Sequence, residues 1–134
     1  MTKISLDTNA YSHLMQGDPL VFQTIVESET VYISTIVIGE LYAGFKGGNR
    51  YNKNIHQLES FLEKGEVHTL NVTISTSEIF GEIKSVLKAQ GKRIPLNDLW
   101  IAAHAIETGS TLISFDSHFK EIPGLRIWEK LRTI

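Results

Sequence analysis

Five short runs of β-branched, aliphatic and aromatic residues, at 3–7, 30–34, 67–72, 111–115 and 126–128, alternate with longer stretches whose apolar residues recur at helical spacing. That alternation limits the fold more than any other feature of the chain. Strands joined by helical connections of roughly a dozen residues or more cross over the sheet and come to lie parallel. The runs are nearly all apolar instead of alternating, which is the pattern of strands covered on both faces. The expected architecture is α/β: a three-layer fold in which helices flank a short central parallel sheet, as one unit over residues 1–134.

The helical stretches carry their own boundaries. Asp18-Pro19 sets a capping carboxylate before a proline at the first helical position, starting a helix that bears Phe22, Ile25 and Val26. Thr8 or Asn9 is the expected cap of the helix before it. Ser34 or Thr35 is the expected start of a helix through Ile36, Val37, Glu40, Leu41 and Gly44, stopped by Gly47-Gly48. A polar helix is predicted over about 50–64 on the stripe Ile55, Leu58, Phe61 and Leu62, and a long one over 75–90 on Ile79, Phe80, Ile83 and Leu87. The last opens at Asn97-Asp98 and ends at Gly109.

Composition closes several routes. With no cysteine, disulfides and thiolate metal sites are excluded, and a reducing cytoplasm is the expected setting. No apolar run approaches the roughly 20 residues of a membrane-spanning helix, and the first strand follows Met1-Thr2 too closely for a signal peptide. The net charge of −2 is unlike the basic surface of a nucleic-acid binder. If four of the 15 acidic residues sit in a metal pocket, 11 remain against 13 Lys and Arg, and that objection lapses.

The carboxylates fall at telling places. Ligands of open parallel sheets gather beyond the carboxyl ends of the strands, and the first and fourth runs lead into Asp7 and Asp116. With a side-chain period of two, Ser5 shares a face with Asp7 and Ser114 with Asp116. Glu40 has Ile36, Val37, Ala43 and Gly44 as its helical neighbours, so it reads as a carboxylate in an apolar stripe, costly unless paired or metal-bound. Asp98 stands in the first turn of its helix beside Pro95, Ile101 and Ala102, while Asn97 offers a capping side chain. Taken singly, each has an ordinary reading: a solvated Glu, or an Asp that complements a helix dipole. Together they form an oxygen-rich set suited to a hard cation such as Mg²⁺ or Mn²⁺.

The order of these residues resembles the PIN-domain family. Asp7-Thr8-Asn9 after the first strand is similar to its opening motif, and the run from Ser34 to Gly44, with Glu40 in the acidic position, to its second. Pro95-Leu96-Asn97-Asp98-Leu99-Trp100-Ile101-Ala102-Ala103 resembles the third, and Phe115-Asp116-Ser117-His118-Phe119 followed by Ile122-Pro123-Gly124-Leu125 the fourth and the end of the domain. In its compact length the chain resembles VapC-type toxins of toxin–antitoxin pairs. The resemblance implies a homodimer inhibited by a small antitoxin, and endonucleolytic cleavage of RNA with Mg²⁺ or Mn²⁺. It makes Asp7, Glu40, Asp98 and Asp116 the expected catalytic and metal-binding residues.

Other assignments rest on the residues alone. Thr8 and Ser34 are second hydroxyl partners of the site or helix caps. Lys46, Arg50, Lys53, Lys92 and Arg93 flank loops that could meet phosphates, with a solvated face as the plain alternative. The five histidines show no zinc spacing, and His118 reads as a loop residue. Tyr42, Phe45 and Trp100 read as packing or dimer-interface residues. A receiver-type Mg²⁺-binding signalling domain is the nearest rival enzyme-free reading, but Asp7 lies between Leu6 and Thr8 and has no acidic neighbour. A phosphatase of the haloacid dehalogenase kind would carry Asp-x-Asp where this chain has Asp7-Thr8-Asn9. A non-catalytic nucleic-acid-binding module on the same fold is the other alternative.

Overall fold

The computed structural model describes residues 2–128. Strand β1 (Lys3–Leu6) leads to helices α1 (Thr8–Met15) and α2 (Pro19–Val26), then β2 (Thr30–Ser34), α3 (Thr35–Lys46), α4 (Tyr51–Leu62) and β3 (Val67–Leu70). The chain continues through α5 (Ile74–Ala89), α6 (Leu96–Thr108), β4 (Thr111–Ile113), a 3₁₀ turn over Ser117–Glu121, and β5 (Arg126–Ile127). The five strands are all parallel, in the order β3-β2-β1-β4-β5. The chain therefore winds one way from β1 to β2 and β3, returns across the sheet, and winds the other way from β4. The turnover lies between β1 and β4, where open α/β sheets form a crevice at the strands' carboxyl ends.

Strand burial follows the expectation from composition. Ile4, Leu6, Val31, Ile33, Leu112 and Ile113 are all buried, covered by helices on both faces of the sheet. The expected α/β fold with a short parallel sheet is thus the observed one, with shorter strands. The predicted run at 67–72 ends at Leu70, the one at 111–115 at Ile113, and the one at 3–7 at Leu6. Beyond each of these ends the chain turns aside toward the helix or turn that follows.

Two expected caps differ. Thr8 and Asn9 lie inside α1, and Asp7 itself is the cap. Asn97 lies inside α6, whose cap position is Pro95 with no side-chain bond. Asp18 caps α2 ahead of Pro19 as expected. Ser34 caps α3 by accepting from the Ile36 amide, and it also bonds His104 Nδ1 at 2.9 Å. His104 is buried, and its Nε2 meets the Asn71 carbonyl at 3.1 Å, so this imidazole ties β2 to the end of β3 and serves packing. Gly109 ends α6 at φ 67°, a left-handed position that favours glycine.

Candidate active site

The site is built on the crevice between β1 and β4. Leu6 pairs with Ile113, so the residues that follow each strand emerge side by side, and the Asp7 amide continues the ladder to the Ile113 carbonyl at 3.3 Å. Asp7 is only 4% exposed. Its Oδ1 accepts from the Ala10 amide at 2.8 Å, so the helix it starts also fixes its direction. The Ser114 hydroxyl acts on this carboxylate, holding its pKa down, and accepts from the Asp116 amide at 3.0 Å. One hydroxyl thereby couples the ends of β1 and β4. Burial pushes the Asp7 pKa from 3.8 to about 6; hydrogen bonds from Ser114 and Ala10 oppose the rise, and the charges of Asp98 and Asp116 add to it.

Asp98 reaches the crevice from the first turn of α6. Burial raises its pKa, His118 pulls it back down, and Glu40 and Asp116 push it up. Asp116 comes from the loop after β4, and the 3₁₀ turn that follows brings His118 back over the pocket. The His118 Nε2 lies 2.6 Å from Asp98 Oδ2, and its Nδ1 lies 2.9 Å from Asp116 Oδ1. When both nitrogens carry protons, one imidazole donates to two carboxylates. Ligand atoms of Asp98, Asp116 and His118 lie within 4.8 Å of one another.

Glu40 approaches from α3. The Thr8 hydroxyl donates to its Oε1 and the Asn97 side-chain amide to its Oε2 at 3.2 Å. It does not sit in the middle of an apolar stripe. Val37 is buried and Ile36 partly so, but Ala43 and Gly44 are exposed, which places Glu40 at the rim of the packed face. Glu40 is thus a rim residue, and its side chain is held at the acidic pocket by Thr8 and Asn97 and coupled to Asp98. Of the two hydroxyls expected as site partners or caps, Thr8 supports Glu40 and Ser34 is a cap.

All four acidic residues expected from the sequence thus face one crevice, with charge coupling linking Asp7, Asp98 and Asp116 and linking Glu40 to Asp98, but of the four only Asp98 and Asp116 join the close cluster of ligand atoms with His118. Among the described residues none of the four is in a salt bridge with Lys or Arg. Crowded oxygen donors without a Lys or Arg to neutralise them fit a divalent cation. His118 and Asn97 were not legible as members of the site. The candidate basic residues disperse: Lys92 pairs with Glu121, Lys46 lies 4.5 Å over the Tyr51 ring, and Arg50 and Lys53 line a pocket of their own. Arg93 lines a groove with Lys84 and Lys88. Trp100 stacks on Phe80 at 3.8 Å, a packing role as expected.

A family model described as PIN domain matches residues 4–125. The chain belongs to the PIN-domain family. It is 30% identical over 132 residues to Ribonuclease VapC2 of Rickettsia felis, covering 93% of this chain and 97% of that protein. It is 31% identical over 129 residues to Ribonuclease VapC1 of Haemophilus influenzae, covering 92% and 94%. The solved structure of VapBC2 from Rickettsia felis, bound to a DNA fragment from its promoter, superposes with a TM-score of 0.84 at 26% identity, over 95% of this chain and 98% of that one. VapBC-1 from nontypeable Haemophilus influenzae gives 0.81 at 29% identity, over 95% and 97%. In this PIN domain the acidic pocket and the turnover crevice of the sheet are the same place.

Proposed function

We propose that the acidic pocket is the catalytic metal centre of a VapC-type endoribonuclease, the toxin of a toxin–antitoxin pair, and that Asp7, Glu40, Asp98 and Asp116 carry its chemistry. The observation behind this reading is the convergence of the four carboxylates, one of them buried with a pKa of about 6, at the strand ends. Asp98 and Asp116 would hold the cation with His118 beside them, and Asp7, coupled to both, would add its charge. Mg²⁺ or Mn²⁺ suits the oxygen donors. A bound divalent ion supplies a nucleophilic water and neutralises charge growing on the phosphate. Ala10 and Ser114 fix the Asp7 carboxylate, and Thr8 and Asn97 hold Glu40 with both oxygens engaged. Glu40, at the rim, would orient water entering the pocket.

The partner follows from the kinship with VapBC complexes. A groove of about 960 Å³ between α1–α2 and α4 is lined by Leu14, Met15, Phe22, Val26 and Phe61 among others. Phe22 and Val26 are 49% and 63% exposed there, an apolar surface suited to a small antitoxin. Exposed Tyr42, Ile74 and Leu96 offer apolar area for a homodimer. No helix of the described residues is long and apolar enough to cross a membrane, and the cytoplasm is the compartment we assign.

The purified chain, incubated with single-stranded RNA, is expected to cut it internally with Mg²⁺ or Mn²⁺ and to stop in EDTA. Cleavage that persists at full rate in EDTA would refute the metal centre. Glu40→Gln keeps the shape of the side chain and can still bond Thr8 and Asn97, so its melting temperature should stay close to the parent's. Its cleavage rate should fall on the order of a hundredfold. A Glu40→Gln protein as active as the parent removes Glu40 from the chemistry and leaves a three-aspartate site.

A further inference from the structure

A second concavity, of about 270 Å³, lies between α1 and the first turns of α4. Arg50, Lys53, Asn54 and Gln57 line it from the α4 side, and Tyr11 and Ser12 from α1. No Asp or Glu is among its lining residues. In a chain of net charge −2, two cations gathered without a carboxylate beside them form a place selective for an anion. Neither Arg50 nor Lys53 has an ion pair among the described residues.

Tyr11 adds an independent observation. It is 2% exposed, and its hydroxyl is buried without a hydrogen-bond partner. A buried donor left unpaired is costly. Phenylalanine would pack equally well against Phe61, whose ring meets that of Tyr11 edge-on at 5.4 Å. Tyr11 is also among the residues that line this pocket, so an unpaired donor stands in its wall.

The pocket also lies beside the acidic site. Thr8, which holds Glu40, is one helical turn before Ser12, and the Ser12 hydroxyl donates to the Thr8 carbonyl at 3.2 Å. One turn advances about 5.4 Å along the axis. The α1 wall of this pocket is thus the same helix whose first residue, Thr8, holds Glu40.

We propose that this pocket is a subsite for an RNA backbone phosphate adjoining the cleavage point, with Arg50 and Lys53 on the phosphate oxygens and Tyr11 and Asn54 as neutral donors. The inference rests on the ribonuclease reading of the acidic pocket. It assigns these residues to substrate binding, where the four carboxylates serve the reaction.

The test pairs binding with kinetics. Fluorescence anisotropy of a labelled single-stranded oligoribonucleotide in EDTA reads binding without cleavage. Arg50→Ala/Lys53→Ala should raise Kd by about tenfold or more and lower the salt slope of binding by about one phosphate contact's worth. In Mg²⁺ the same variant should show the loss in KM, with kcat falling by no more than about twofold. Tyr11→Phe should raise KM several-fold while melting at or above the parent's temperature. A dinucleotide too short to reach the pocket should be cut equally by parent and variants. If the parent cuts RNA and the variants match it in Kd and KM, the subsite is overturned while the active site stands. If the variants keep their RNA affinity but lose antitoxin affinity, the subsite is overturned in favour of a protein contact. A parent that neither binds nor cuts RNA takes the ribonuclease reading and the subsite down together.

Discussion

Asp7→Asn is expected to abolish RNA cleavage, by on the order of a hundredfold or more, and at the same time to make the metal-free protein more stable at neutral pH. The two effects have one cause. Asp7 is held almost out of water, and burial raises its pKa from 3.8 to about 6. The folded state therefore binds this proton more tightly than the unfolded chain. Between about pH 4 and pH 6 the native protein holds more protons, so stability falls as pH rises, and above about pH 6 the loss is complete. The shift corresponds to on the order of 2–3 kcal/mol. Asparagine removes the titration but keeps an oxygen for the Ala10 amide, and it is as good a helix cap as aspartate. In EDTA the Asp7→Asn protein should melt above the parent at pH 7.5, and the two should converge as pH drops below about 4. A variant that loses cleavage by unfolding, melting well below the parent at pH 7.5, would make Asp7 a structural cap and nothing more.

The positions of Asp7, Asp98 and Asp116 were open to sequence reasoning because each is tied to an element boundary. A strand ending on aspartate, or a helix opening on one, can be recognised without knowing what lies opposite. That β1 and β4 are neighbours is what turns two such boundaries into one pocket, and neither boundary by itself encodes the strand order. The caps differ for a related reason. Thr8, Asn9 and Asn97 have the chemistry of caps, and only the geometry shows Asp7 capping α1 while Thr8 and Asn97 donate to Glu40.

His118 was out of reach for a different reason. Its place in the pocket depends on a short 3₁₀ turn reversing the chain after Asp116, which brings the imidazole against a carboxylate 20 positions earlier. A single histidine in a polar run carries no periodicity that would announce this. Arg50 and Lys53 stood out as cations but could not be told from Lys46 and Lys92. What separates them is partnership: Lys46 has an aromatic ring and Lys92 a glutamate, whereas Arg50 and Lys53 share a pocket without a carboxylate.

Metal binding should produce the other large effect. In the absence of a cation, Asp98 and Asp116 face each other across His118, and the imidazole is the only positively chargeable side chain bridging them among the described residues. A cation bound only by the folded state stabilises it by about 2.7 kcal/mol at a hundred times its Kd, roughly 10 °C for a chain of this size. Thermal melts in EDTA and in saturating Mg²⁺ or Mn²⁺ should therefore separate by that order. Asp98→Asn removes a ligand and one of the crowded charges, so its EDTA midpoint should hold or rise while the metal-induced shift collapses. His118→Ala should act in the opposite sense on the metal-free protein. Without the imidazole the contacts that join Asp98 to Asp116 are lost, the EDTA midpoint drops, and the gap between metal-free and metal-loaded melts widens. Equal midpoints with and without metal in the parent would mean that the pocket holds no cation. A His118→Ala protein whose EDTA midpoint matches the parent's would mean that this imidazole contributes nothing to holding the carboxylates together.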